Sequence, residues 1–140
     1  GDYAAATGGF EAILLEEPGF LDAPRLLVQA QAGLRASARA LFDAADRLDR
    51  AGDWVGALQK YEQAKQVHAG LPRIDGRIAR ARQRLEAAGA AAFAAGQAHD
   101  AAGRVDDAIR EYGKAIQWLP ADDPNRQAAR SRIEQLRKRN

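Results

Sequence analysis

A chain of 140 residues with no cysteine and no methionine is long enough to bury one core and too short for two independent ones, and it excludes disulfides, thiolate metal sites and cysteine nucleophiles. Hydrophobic residues make up 46% of it and aromatics only 6%; most of the rest is alanine, the strongest helix former, and no window alternates apolar and polar residues over strand length, which excludes sheet. The net charge of +2 is unevenly spread, with 7 basic and 10 acidic side chains over residues 1–69 and 14 and 9 over residues 70–140, so the basic character belongs to the second half.

The chain opens Gly1-Asp2-Tyr3, with no signal segment and no apolar run of membrane-spanning length. It reads as a soluble piece of a longer protein, without membrane insertion. The opening triplet returns 51 residues on as Gly52-Asp53-Trp54 and again as Gly103-Arg104-Val105. Ala6, Ala57 and Ala108 follow at the same offset, then Phe10, Tyr61 and Tyr112, then Ile13, Ala64 and Ala115. A fixed period decides fold class more firmly than local propensity. The copies run about 1–51, 52–102 and 103–140, within one domain.

In chain order, a short helix after Gly1 ends at Pro18-Gly19. Asp22 before Ala23-Pro24 is an N-cap signal for a long helix to about Ala51. Gly52 turns the chain into a second short helix, closed by Gly70-Leu71-Pro72. A second long segment, about Arg73 to Ala102, carries Gly76, Gly89 and Gly96 as points where it can break. After Gly103 the last short helix ends at Pro120, with Asp123 before Pro124 as a further start signal. Five helical stretches are expected, with Phe10, Tyr61 and Tyr112 buried at equivalent places. The small residues at Ala57, Ala64, Ala108 and Ala115 let antiparallel axes come close, and Gly52 and Gly103 supply the left-handed turn.

These residues resemble the tetratricopeptide repeat. Its first-helix positions fall on Leu41, Ala44, Ala45 and Leu48 in one copy and on Ala92, Ala95, Gly96 and His99 in the next. Its second-helix small and aromatic positions fall on Ala57 and Tyr61, on Ala108 and Tyr112, and on Ala6 and Phe10. Proline follows at Pro18 and Pro120, with Ala69 in its place in the middle copy. The 51-residue period exceeds the usual 34 of that family, lengthening each connection by some 17 residues. The resemblance implies an all-α, antiparallel helical-repeat array of short helices alternating with long ones. It also implies a non-catalytic scaffold of bacterial type that takes a protein or peptide partner on the inner face of its first helices. That face maps to Arg39, Phe42, Asp46, Asp49 and Arg50, and to Ala90, Phe93, Gln97 and Asp100. Phe42 and Phe93, 51 apart, are the leading contact candidates; the competing reading packs them under the extra helical segment. Phe42 and Asp46 replace the Lys/Asn clamp of chaperone-tail binders, which disfavours such a tail.

Leu27, Leu34, Leu41 and Leu48 stand seven apart. They read either as a dimerising seam or, preferably, as a stripe that packs on the chain's own short helices. Arg73, Arg77, Arg80 and Arg84 share one helical face, either a solvated surface or a site for an anionic partner; with no aromatic interleaved, nucleic acid is disfavoured. His68 and His99 lack partners at metal-ligand spacing. The acidic pairs Asp106-Asp107 and Asp122-Asp123 sit where helices begin and read as caps. Ser37 and Ser131 lie in helical stretches and no phosphate-binding glycine loop exists, so neither catalysis nor a cofactor is anticipated. Self-association through the N-terminal end, or a regulatory role within a larger bacterial protein of the cytoplasm or periplasm, are the alternatives to the adaptor.

Overall fold

The computed structural model describes residues 3–16 and 22–139, the side chains at 13–16 and 139 excepted. The expected break at Pro18-Gly19 and the Ile13 side chain lie outside that description. All regular structure among the described residues is helical: α1 (Tyr3–Glu16), α2 (Ala23–Ala51), α3 (Trp54–Val67), α4 (Ile74–Ala101), α5 (Val105–Trp118) and α6 (Pro124–Arg139). There are six helices where five stretches were expected, because the segment after Pro124 is a helix of its own. The short helices α1, α3 and α5 are 14 residues each and begin 51 residues apart, so the sequence period is also the period of the backbone.

Local chemistry accounts for the boundaries. Gly52 and Gly103 take φ of 82° and 72°, the left-handed conformation that glycine adopts without penalty. The Asp53 carboxylate accepts a 2.9 Å hydrogen bond from the Gly56 N–H and caps α3. Asp123 accepts from Asn125 N–H at 2.8 Å at the head of α6. Asp22 stands at the N-cap of α2 but makes no capping bond; its carboxylate lies 3.4 Å from Arg25. The long helix α4 does not break. Gly89 and Gly96 sit where side chains of α5 and its C-cap press on its backbone: a Cβ at Gly96 would stand 2.6 Å from Tyr112 Cδ1, and one at Gly89 2.6 Å from Leu119 Cγ.

By internal contacts the chain forms two units, residues 1–78 and 79–140, and the division falls inside α4. In the first unit, α2 turns back on α3. Phe42 meets Tyr61 and so does Asp46, pairs nearly equidistant from the Gly52 turn, which is the signature of an antiparallel hairpin. The fully buried side of α2 is Ala23, Ala30, Ala38 and Ala45, at spacings of seven and eight that follow 3.6 residues per turn. The heptad leucines Leu27, Leu34, Leu41 and Leu48 flank it, half-buried. In the second unit, Ala92, Ala108, Tyr112, Ala115, Leu119, Ala129, Ile133 and Leu136 form one cluster. Tyr61 and Tyr112 are 1% and 3% exposed. Phe10, expected to match them, is only half-buried; α1 meets α2 instead through Tyr3, whose ring lies against Gly33.

Candidate binding surfaces

Each unit places a tyrosine of its short helix against a phenylalanine and an aspartate of the preceding long helix. In the first, the Phe42 and Tyr61 rings meet edge to face with centroids 5.4 Å apart. The Tyr61 hydroxyl donates a short hydrogen bond to Asp46 Oδ1, and Arg77 donates to Asp46 Oδ2 at 3.5 Å. Burial, and then the Asp46 carboxylate, push the Tyr61 hydroxyl far above the ordinary tyrosine pKa. In the second, Phe93 and Tyr112 lie 5.6 Å apart, and burial, with Asp100 second, raises Tyr112 likewise. Arg132 forks onto Asp100, Nε to Oδ2 at 2.5 Å and Nη2 to Oδ1 at 3.0 Å. Two N–H groups aligned on two carboxylate oxygens make the stronger kind of pair.

The partners are the same types at shifted positions. Counting back 51 residues, Asp100 corresponds to Asp49 and Gln97 to Asp46. Arg132 corresponds to Ala81 and Ala128 to Arg77. The aspartate–arginine pair has moved by about one helical turn, and the places it vacated hold an amide and a methyl group. There the second unit has a hollow of about 470 Å³ lined by Phe93, Gln97, Asp100, Ala101, Tyr112, Ala128 and Arg132. Its polar rim is largely satisfied from within, since Arg132 also reaches Gln135 at 2.9 Å, so the open wall is apolar: an aromatic ring and two alanines.

A hollow of about 360 Å³ in the first unit is lined by Arg39, Phe42 and Asp43 from α2 and by Leu71, Pro72 and Arg73 from the α3–α4 connection. Arg73 is the one described non-glycine residue with positive φ, 67°, and its carbonyl accepts the Arg77 N–H at 3.0 Å.

The residues anticipated from sequence separate into these places. Phe93, Gln97 and Asp100 line the larger hollow and Arg39 and Phe42 the smaller. Asp46 is turned inward, its side chain 16% exposed. Asp49 is half-buried beside it and adds to the field on Tyr61. Of the arginine series, Arg73 precedes α4, Arg77 pairs with Asp46, Arg80 is exposed and Arg84 half-buried. His99 accepts from Arg104 Nε at 3.0 Å, and among the described residues no three His, Asp or Glu side chains converge on a metal-sized point. No helix among the described residues is long and apolar enough to cross a membrane. Sequence reading missed Ala101, Tyr112, Ala128 and Arg132 as lining residues of the larger hollow and Asp43, Leu71 and Pro72 as those of the smaller. The 51-residue offset held the signal for Ala128, an alanine standing where the preceding copy has arginine. No family model, curated protein or solved structure matches this chain.

Proposed function

We propose that this chain is a non-catalytic interaction module of the tetratricopeptide type and that it seats a peptide or partner helix in the hollow of its second unit. One observation carries the reading. Where the first unit has Arg77 reaching the aspartate beside its Phe–Tyr pair, the second has Ala128 at the equivalent place, and its arginine, Arg132, is drawn onto Asp100 one turn away, which leaves the hollow beside Phe93 and Gln97 open. A concave, mostly apolar surface with a few fixed polar groups is the ordinary form of a recognition site, and a half-exposed aromatic at its centre is the usual anchor.

The test is selection of peptides from a displayed library on the intact chain, followed by binding measurements on variants. Phe93→Ala should weaken the selected peptides about tenfold or more, as loss of a central anchor does. Ala128→Arg, which restores the first unit's side chain, should block them without loss of helicity. Selected peptides that bind both variants as they bind the parent would overturn the proposal.

Self-association is the second reading, favoured by α1, on which Phe10 is half-buried and Tyr3 is 40% exposed. Its mark is an apparent mass by light scattering that falls on dilution and is fixed at the monomer by Phe10→Glu. A mass independent of concentration removes it.

A further inference from the structure

We infer that the smaller hollow, in the first unit, is a site for an acidic side chain flanked by an apolar residue within a protein partner's chain. Arg39 and Arg73 come to this hollow from different segments, one from α2 and one from the connection that follows α3. Both are exposed. Of the other five arginines of the first unit three are engaged, Arg77 and Arg50 on Asp46 and Arg25 on Asp22, whereas among the described residues Arg39 and Arg73 make no ion pair or hydrogen bond through their guanidinium groups. The apolar part of the lining is Phe42, Leu71 and Pro72. Two guanidinium groups over an apolar floor match a carboxylate next to an aliphatic or aromatic side chain, because the planar donors suit carboxylate oxygens and the floor excludes water around them.

The backbone supports the same assignment. Arg73 holds a left-handed conformation that asparagine or glycine would adopt at lower cost, directly after a proline that fixes its own φ. Strain of that kind at an exposed, unpaired charged residue points to a use for the side chain. Asp43 sits on the same rim and pairs with neither arginine; it lowers the hollow's net charge to +1, so the partner's acidic group competes with it. The proposal is independent of the second unit's hollow, since the lining residues are all different.

The probe is a fluorescein-labelled, C-amidated peptide alternating glutamate and leucine, titrated by anisotropy with the full chain. Salt is set near 0.15 M, where the screening length is about 8 Å and general attraction is muted. Arg39→Gln and Arg73→Gly should each weaken binding about fivefold, the upper range for a solvated charge contact, and Asp43→Asn should tighten it about threefold. The glutamine version of the peptide should bind about tenfold more weakly or not at all, and Arg47→Gln, an exposed arginine of α2 outside both hollows, should change nothing. Thermal melts of each variant guard against loss of fold. Equal binding of the glutamate and glutamine peptides, indifference to both arginine substitutions, or no saturable binding would each overturn the assignment. Displacement of the peptide by a single-stranded oligonucleotide that binds more tightly and depends on the same arginines would overturn it in favour of phosphate.

Discussion

Tyr61 and Asp46 show how little of a residue's role lies in its own neighbourhood of the chain. Asp46 sits on the surface that the resemblance assigns to a partner, yet it is held by a tyrosine 15 residues away and an arginine 31 away. Asp100 is likewise held by Arg132, 32 residues on. Separations of that size leave no local pattern, so the sequence put Asp46 and Arg77 in different candidate sets. Tyr61→Ala should cost roughly 3–5 kcal/mol in a denaturant melt, as loss of a buried aromatic does, against under about 0.5 kcal/mol for exposed Arg80→Ala. The raised tyrosine pKa values set an alkaline limit. Unfolded tyrosine titrates near pH 10 and the folded groups above it. The unfolded chain therefore releases protons first, and stability that is intact below about pH 10 falls as pH rises further, by up to about 1.4 kcal/mol per pH unit for each tyrosine. Tyr61→Phe should flatten that decline in melts taken across the alkaline range. Arg73→Gly should stabilise the fold by about 1 kcal/mol through relief of the left-handed backbone, while weakening the acidic peptide.

At the scale of elements, the boundaries written in glycine and proline were readable and the continuity of α4 was not. Glycine in a helix interior costs about 1 kcal/mol relative to alanine, so Gly76, Gly89 and Gly96 read as breaks. What keeps two of them helical is the packing of α5 and its C-cap, whose Tyr112 and Leu119 occupy the space a Cβ would take, a fact that belongs to another helix. Gly76 meets nothing within 4 Å. Gly76→Ala should therefore stabilise by about 0.5–1 kcal/mol, and Gly96→Ala should destabilise by about 1–3 kcal/mol as Tyr112 is forced aside, both read from denaturant midpoints. The first unit has Ala45 at the position of Gly96 and Ala38 at that of Gly89, which places the Gly96 loss toward the lower end. The leucine heptad is the complementary lesson. It marked the correct side of α2, but the fully buried stripe follows the straight-helix period through alanines, which no hydrophobicity pattern singles out.

Taken whole, the molecule keeps its period more faithfully than its chemistry. The short helices were legible to within a few residues because their 51-residue spacing is a property of the sequence alone. The hollows were not, because each depends on which side chains a later segment brings to it, α6 for the larger and the α3–α4 connection for the smaller. Charge is divided as well: residues 1–78 carry a formal −2 and residues 79–140 a formal +4. The unit with the proposed acid-binding hollow is thus the net acidic one. A long polyglutamate should accordingly bind the second unit at low salt and be released by about 0.2 M salt as charges are screened, while the short peptide's dependence on Arg39 and Arg73 persists. A filter-binding series across salt distinguishes the two behaviours.

The displaced aspartate–arginine pair constrains how such a chain can be altered. A copy holding both arrangements keeps an acceptor on its buried tyrosine throughout, whereas a copy holding neither strands that hydroxyl without one, at a cost of about 1–3 kcal/mol. Gain must therefore precede loss along any stepwise route from one unit's wiring to the other's. Installing Gln97→Asp together with Ala128→Arg recreates that bridging form in the second unit, a tolerated intermediate that closes one recess and leaves the other unit as it was.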